Sequence, residues 1–213
     1  MRLTPVEPPR LPDSEPSYTR RAWDTFNNVL RLYFNRLSYA VNALLGVNGG
    51  QFVDCPYGLF FNTAAQSLTA INTAHTIAVP SPYLENAVVV DGATPSRIYV
   101  TVGGIYNFQF SGQLKSTSSS SKQVWVWLRR DLVPIGYSTH QYTLAGSGNH
   151  MEISWNFDID MQEGQFLELL WAADSTDVSL EATAAAGPHP GIPSAVVAVN
   201  FVAPLPDPLP VPP

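Results

Sequence analysis

A dominant period of two, punctuated by glycine, serine and proline, runs through this chain from Gln51 onward and restricts its fold more than any other feature. In Met151 to Met161, Met151, Ile153, Trp155, Phe157 and Ile159 alternate with Glu152, Ser154, Asn156, Asp158 and Asp160. Successive side chains of a strand point to opposite faces, so one face is core and the other polar, as in an antiparallel sheet wetted on one side. Tyr106, Phe108, Phe110 and Leu114 alternate in the same way with Asn107, Gln109, Ser111 and Gln113, after a turn at Gly103 and Gly104. Lys122 to Arg130 sets Val124, Val126 and Leu128 opposite Trp125, Trp127 and Arg129, and something is expected to pack on the tryptophan face. Phe166 to Trp171 and Ala195 to Val202 are apolar on both faces. Such strands lie between their own core and a subunit contact, or at the centre of a thick monomer. Shorter strands are expected at Tyr57 to Asn62, Ala74 to Val79, Ala87 to Val90, Arg97 to Val102, Tyr142 to Leu144 and Val178 to Ala182. About ten strands in one domain imply an antiparallel β-sandwich. Ser116 to Ser121 cannot pack apolar surface and reads as an exposed loop.

Ahead of the strands the period changes. Trp23, Phe26, Leu30, Tyr33, Leu37, Ala40 and Leu44 recur at alternating spacings of three and four, a heptad seam that wants a partner helix. A second row, Val29, Phe34, Val41 and Leu45, widens the stripe towards more than one neighbour, although a helix packed on its own domain would also use it. Ser17 is the expected N-cap, with Arg20 where a capping box would carry Glu or Gln, and Gly46, Gly49 and Gly50 supply the stop. The chain thus divides into a proline-rich arm (1–16), a helical anchoring segment (17–50), a sandwich head (51–203) and a proline-rich tail (204–213). The two end segments lack the apolar pattern to fold alone, and their prolines favour extended polyproline geometry, so they read as straps that order against another surface.

Composition removes several functions. Apolar residues make up 45% and charged residues 13% of the 213, enough for a core but a thin charged surface, which suggests that partners cover part of it. A net charge of −6 offers no footprint for a phosphate backbone, so nucleic-acid binding is not expected. The longest apolar stretches, such as Ala195 to Ala203, fall short of the roughly 18 to 20 residues of a membrane span. Met1 to Pro16 lacks the apolar run of a signal peptide, and cytoplasmic synthesis is expected. A single cysteine, Cys55, excludes an internal disulfide framework and reads as a small apolar residue.

No constellation for chemistry stands out. His75, His140, His150 and His189 occur in separate segments without the spacing of zinc motifs. His189, between two prolines, reads as a loop lock. Asp158 and Asp160 share a strand face and could pair as acid and base, but alternation places them on the solvated side. Asp174, Asp177 and Glu181 lack the ligand spacing and glycine of a calcium loop. Neither a Gly-Xaa-Ser-Xaa-Gly elbow nor a P-loop occurs, and Gly146-Ser147-Gly148-Asn149 reads as a turn. Catalysis, a cofactor and a metal are therefore not expected.

The string Gly104-Ile105-Tyr106-Asn107-Phe108-Gln109-Phe110-Ser111-Gly112, preceded by Ser96-Arg97-Ile98-Tyr99-Val100, resembles central strands of the tumour-necrosis-factor-like jelly rolls, which include the complement-type heads. That resemblance implies a trimer. A further set of segments resembles small virion structural proteins of tailed, especially short-tailed, bacteriophages. These are Leu30-Arg31-Leu32-Tyr33-Phe34-Asn35, Pro56-Tyr57-Gly58-Leu59-Phe60, Val126-Trp127-Leu128-Arg129-Arg130 and Gly187-Pro188-His189-Pro190-Gly191-Ile192-Pro193-Ser194. Where that group often carries Asn-Gly after the tryptophan strand, this chain has Asp131-Leu132, so a wider turn is expected there.

The resulting expectation is a structural component of a virion: a homotrimeric tail or head fibre whose jelly roll projects from the particle and contacts the host. A capsid decoration protein is the alternative; a carbohydrate-binding module or a glycan-degrading enzyme is the reading from other classes. Expected partners are copies of itself and other virion proteins, at the tail adaptor and portal region or on the major capsid protein, with a host surface glycan as a further candidate. The helix seam (Trp23, Phe26, Leu30, Tyr33, Leu37, Leu44) and the outer faces of the last strands (Leu167, Leu169, Trp171, Val197, Val199) are the candidate trimer contacts, while Trp125, Trp127 and Tyr142 could stack on sugars.

Overall fold

The computed structural model describes Pro9 and residues 19–45, 55–146 and 148–205, with the backbone alone for 43–45. The chain forms two compact units, Met1–Asp54 and Cys55–Pro213.

The first unit contains helix α1 (Arg20–Leu45), 26 residues and so about 39 Å long. Thr19 caps it, its Oγ1 accepting from the Ala22 N–H at 3.3 Å. Ser17, Gly46, Gly49 and Gly50 lie outside the described residues, as does the Leu44 side chain. On the expected seam, Phe26, Leu30 and Tyr33 are half-buried, whereas Trp23 and Leu37 are exposed and Trp23 meets Phe26 edge-on at 5.6 Å. Phe34 and Val41 of the second row are exposed too, as are Leu32 and Tyr39 beyond it. Asn28, Asn35 and Asn42, seven residues apart, line the face of the helix opposite the seam.

The second unit is the antiparallel β-sandwich that the alternation implies. Its strands are β1 (Tyr57–Asn62), β2 (Gln66–Ser67), β3 (His75–Thr76), β4 (Ser81–Asn86), β5 (Val88–Val90), β6 (Ile98–Val100) and β7 (Gly104–Ser116). They continue as β8 (Lys122–Arg130), β9 (Val133–Pro134), β10 (His140–Leu144), β11 (Asn149–Met161), β12 (Phe166–Ala173), β13 (Val178–Leu180) and β14 (Ala195–Ala203). One sheet runs β2-β13-β7-β14-β1-β4 with β11 on the other side of β7, and the second runs β10-β8-β12-β6-β5 with β3 and β9 attached. Among the principal strands β1, β6, β7, β8, β10, β11, β12 and β14, the pairing is nested: β1 with β14, β6 with β12, β7 with β11, and β8 with β10. A long hairpin rolled over on itself pairs in this way, and the fold is a jelly roll.

Alternation decides which side chains fill the space between the sheets. Phe60, Tyr106, Phe108, Phe110, Val124, Val126, Leu128, Ile153 and Ile159 are all buried there. Burial raises the pKa of the Tyr106 phenol, whose hydroxyl donates to the Val102 carbonyl at 2.6 Å. Gly104 opens β7 because a β-carbon there would overlap the ring of Phe201.

Two expectations need correction. Leu167, Leu169, Trp171, Val197 and Val199 do not face a subunit contact; each is at most 4% exposed, inside the sandwich. In β12 the opposite parity, Glu168, Leu170 and Ala172, forms the outer face, because Glu168 meets arginines there. The turn at Asp131-Leu132 is not wider than a two-residue hairpin: Arg130 pairs with Val133, and φ is 46° at Asp131 and 68° at Leu132. Two successive positive φ values define the primed turn that Asn-Gly usually makes. Asp131 is held in it by Phe166 N–H and Gln165 Nε2, which donate to its carboxylate at 3.1 and 2.7 Å. Leu132 has no such support and is exposed, so Leu132→Gly is expected to stabilise the sandwich by about 0.5–1 kcal/mol in urea unfolding.

Candidate interaction surfaces

The outer face of the second sheet carries a charged cluster and an aromatic groove side by side. Cross-strand register sets Arg129 opposite Glu168, Trp127 opposite Leu170 and Trp125 opposite Ala172. Glu168 is buried and receives Ser96 Oγ and Arg129 Nε, both at 2.9 Å, with Arg97 Nε 3.6 Å away. The Arg97 guanidinium lies over the Phe166 ring at 4.6 Å.

Beyond this cluster, Trp125 and Trp127 stand half-buried in a groove of about 460 Å³, walled by Asn72 on one side and by Pro134, Ile135 and Thr139 on the other, with Ala172 in the floor. Tyr142 does not join them: it pairs with Val124 and so sits on the opposite face of the sheet. Partial burial raises its phenol pKa.

Tyr142 belongs instead to the edge of the sandwich, where β10 and β11 end their sheets. The His140 ring stacks on Trp155, 5.0 Å between centroids and 20° between planes, and more distantly on Tyr142 at 6.5 Å. Trp155 meets Phe110 edge-on at 4.9 Å. This chain of rings bridges the two sheets, and His140 is exposed while Trp155, Phe157 and Tyr142 are half-exposed. The bridge was not visible in the sequence, since its members lie on different sheets; the only hint was the aromatic parity of Met151 to Met161.

No family model matches the chain, and no curated protein matches it. Among solved structures it is similar to the Eiger TNF of S. frugiperda, with 12% identity over 74% of this chain and 99% of that one, at a TM-score of 0.48.

The titratable groups weighed for chemistry have local partners. His75 Nε2 lies 2.8 Å from Thr69 Oγ1 and its Nδ1 2.9 Å from the Thr73 carbonyl, which pins the loop before β3. His150 lies 3.2 Å from Glu181, which also pairs with Lys115. His189 Nδ1 is 3.1 Å from the Pro190 carbonyl. Asp158 accepts from Asn107 Nδ2 at 2.6 Å and Asp160 pairs with Arg130 at 3.0 Å, both on the outer face. Asp177 is held by Ser175, away from Glu181. Among the described residues no group of three or more His, Cys, Asp or Glu is gathered to hold a metal ion, and no helix is long and apolar enough to cross a membrane. What the surfaces offer is binding area: aromatic rings, small polar groups and, on α1, uncovered apolar rows.

Proposed function

We propose that this chain is a structural component of a bacteriophage virion, a homotrimeric appendage in which α1 joins and anchors three copies and the jelly roll is presented to the host surface. The observation that carries the oligomer is the exposure along α1: Trp23 is 47%, Phe34 57% and Val41 42% accessible. Apolar residues on adjoining rows of a helix this long demand cover, and the breadth of the stripe suits two neighbouring helices better than one. The aromatic bridge at His140 and Trp155 supplies a second contact, at the sandwich edge. The virion assignment is supported by the resemblance of the four segments named above.

Native mass measurement of the full chain is expected to give a trimer, and Leu30→Glu with Leu37→Glu a monomer that keeps its β-sheet circular dichroism. A wild-type monomer at micromolar concentration would sink the oligomer. The virion assignment is tested separately, by mass spectrometry of purified particles from a phage that encodes the chain. Its peptides are expected at structural-protein abundance, and their absence overturns the assignment.

A further inference from the structure

Trp125 and Trp127 stand two apart on β8, so their side chains leave one face of the strand about 7 Å from each other. Two loops wall their groove, and hydrogen bonds fasten both to the sheet beneath. On one side the Asn72 N–H donates to the Ala173 carbonyl at 2.8 Å, and His75 ties the same loop to Thr69 and Thr73. On the other the Ile135 N–H donates to the Leu128 carbonyl at 2.9 Å, and buried Ser138 holds the chain just before Thr139. Ser138 Oγ accepts from the Leu128 N–H at 3.0 Å and donates to the Ile135 carbonyl at 2.8 Å. The walls are thus set before any ligand arrives, which lowers the cost of ordering them. The volume of about 460 Å³ falls within the roughly 300–1,000 Å³ of small-molecule sites.

The lining dictates the chemistry of the occupant. It contains no charged residue among those described, and Arg129, the next outward side chain of β8, is already committed to Glu168. The groove therefore offers neither a cation for a phosphate or carboxylate nor a carboxylate for an ammonium group. What it offers is ring faces beside neutral polar groups. Among the described residues, neither indole N–H, nor the Asn72 amide, nor the Thr139 hydroxyl has a hydrogen-bond partner. A purely aliphatic ligand would leave those groups unpaired. A pyranose ring matches the whole set, with C–H groups on its face for the indoles and hydroxyls around its rim that both donate and accept.

We propose that the Trp125–Trp127 groove binds a neutral oligosaccharide, adjacent pyranose rings lying on the two indoles and their hydroxyls pairing with Asn72 and Thr139. This names the ligand class of the host-surface contact proposed above and rests on that reading for its setting. The groove itself depends on neither the virion assignment nor the oligomeric state.

The test uses the full chain labelled with 5-fluorotryptophan, its five indoles followed by fluorine NMR and assigned by replacing each in turn with phenylalanine. The probes are cellotetraose, maltotetraose, chitotetraose and α-1,6-mannotetraose. At least one is expected to shift the Trp125 and Trp127 lines saturably, with a Kd below about 10 mM, and to leave the Trp171 line in place. Trp125→Ala, and separately Thr139→Arg, which keeps both indoles but crowds the wall, are each expected to weaken that binding at least about tenfold while β-sheet circular dichroism is unchanged. The proposal is overturned if no probe moves the two lines up to about 10 mM, if either variant binds as before, or if the Trp155 line responds in their place. Preference for tetragalacturonate or AMP over every neutral probe overturns it as well. Because the purified chain is titrated, a groove that fails to bind leaves the particle and mass measurements above untouched, and the two readings fail separately.

Discussion

Glu168→Ala is expected to destabilise the sandwich by about 3 kcal/mol, far more than a typical substitution on an outer sheet face. The carboxylate is 2% exposed, in a row with Arg97 and Arg129 and with the Ser96 hydroxyl donating to it. Two guanidinium groups around one carboxylate leave a local excess of one positive charge, and Arg97 Nε is buried without a hydrogen-bond partner. Removing the anion strands both cations and the hydroxyl in a site shaped for it. The arginine side chains are 29% and 23% exposed, so water relieves part of that cost and the lower end of the range for broken buried pairs applies. Urea unfolding at fixed protein concentration should show a lower midpoint with an unchanged slope. Glu168→Gln, which keeps an acceptor for Ser96, should lie between the two. An alanine variant with the wild-type midpoint would mean that the cluster contributes nothing net.

A matched pair of tryptophans gives the second large effect. Trp171 is 1% exposed in the core, and Trp171→Ala is expected to cost about 3–5 kcal/mol. Trp125, one strand away and opposite Ala172, points out of the same sheet and is half-exposed. Trp125→Ala should cost under about 1 kcal/mol, since no interior cavity forms. Equal losses from the two variants would contradict the facing of β8 and β12.

That facing marks where the sequence could be read and where it could not. Lys122 to Arg130 alternates and forms a strand over that same range, and Met151 to Met161 lengthens by two residues, because one-sided burial writes its period directly into the chain. β12 carries no such record. Leu170 and Ala172 are nearly as buried on the outer face as Leu169 and Trp171 within, since β3 lies alongside and the Glu168 cluster covers one end. With both faces apolar, parity is undetermined locally, and the outward set was read one residue off. β4 had no signal at all: Ser81–Asn86 contains a proline and a glutamate, is largely exposed, and is held by backbone pairing with β1 and by Asn86 Nδ2 donating to the Cys55 carbonyl at 3.0 Å. The turn at Asp131 needed knowledge of Gln165 and Phe166, whose donors arrive from a strand far along the chain. Trp125 and Trp127 stood out in the sequence, but the walls of their groove and the rings of the aromatic bridge are brought together by topology from segments far apart in the chain.

The nested pairing of β1 with β14 bears on how the molecule is made. Asn62 finds its strand partner at Ala195, so the centre of the first sheet stays incomplete until β14 has left the ribosome. Closing so long a loop carries an entropic cost that is recovered only at the last step, which predicts slow folding dominated by non-local contacts. Until β14 inserts between β1 and β7, both of those strands present bare backbone edges to any neighbouring nascent chain. A nascent chain is most vulnerable to misassembly in that interval, and the insertion of β14 is the step that ends it.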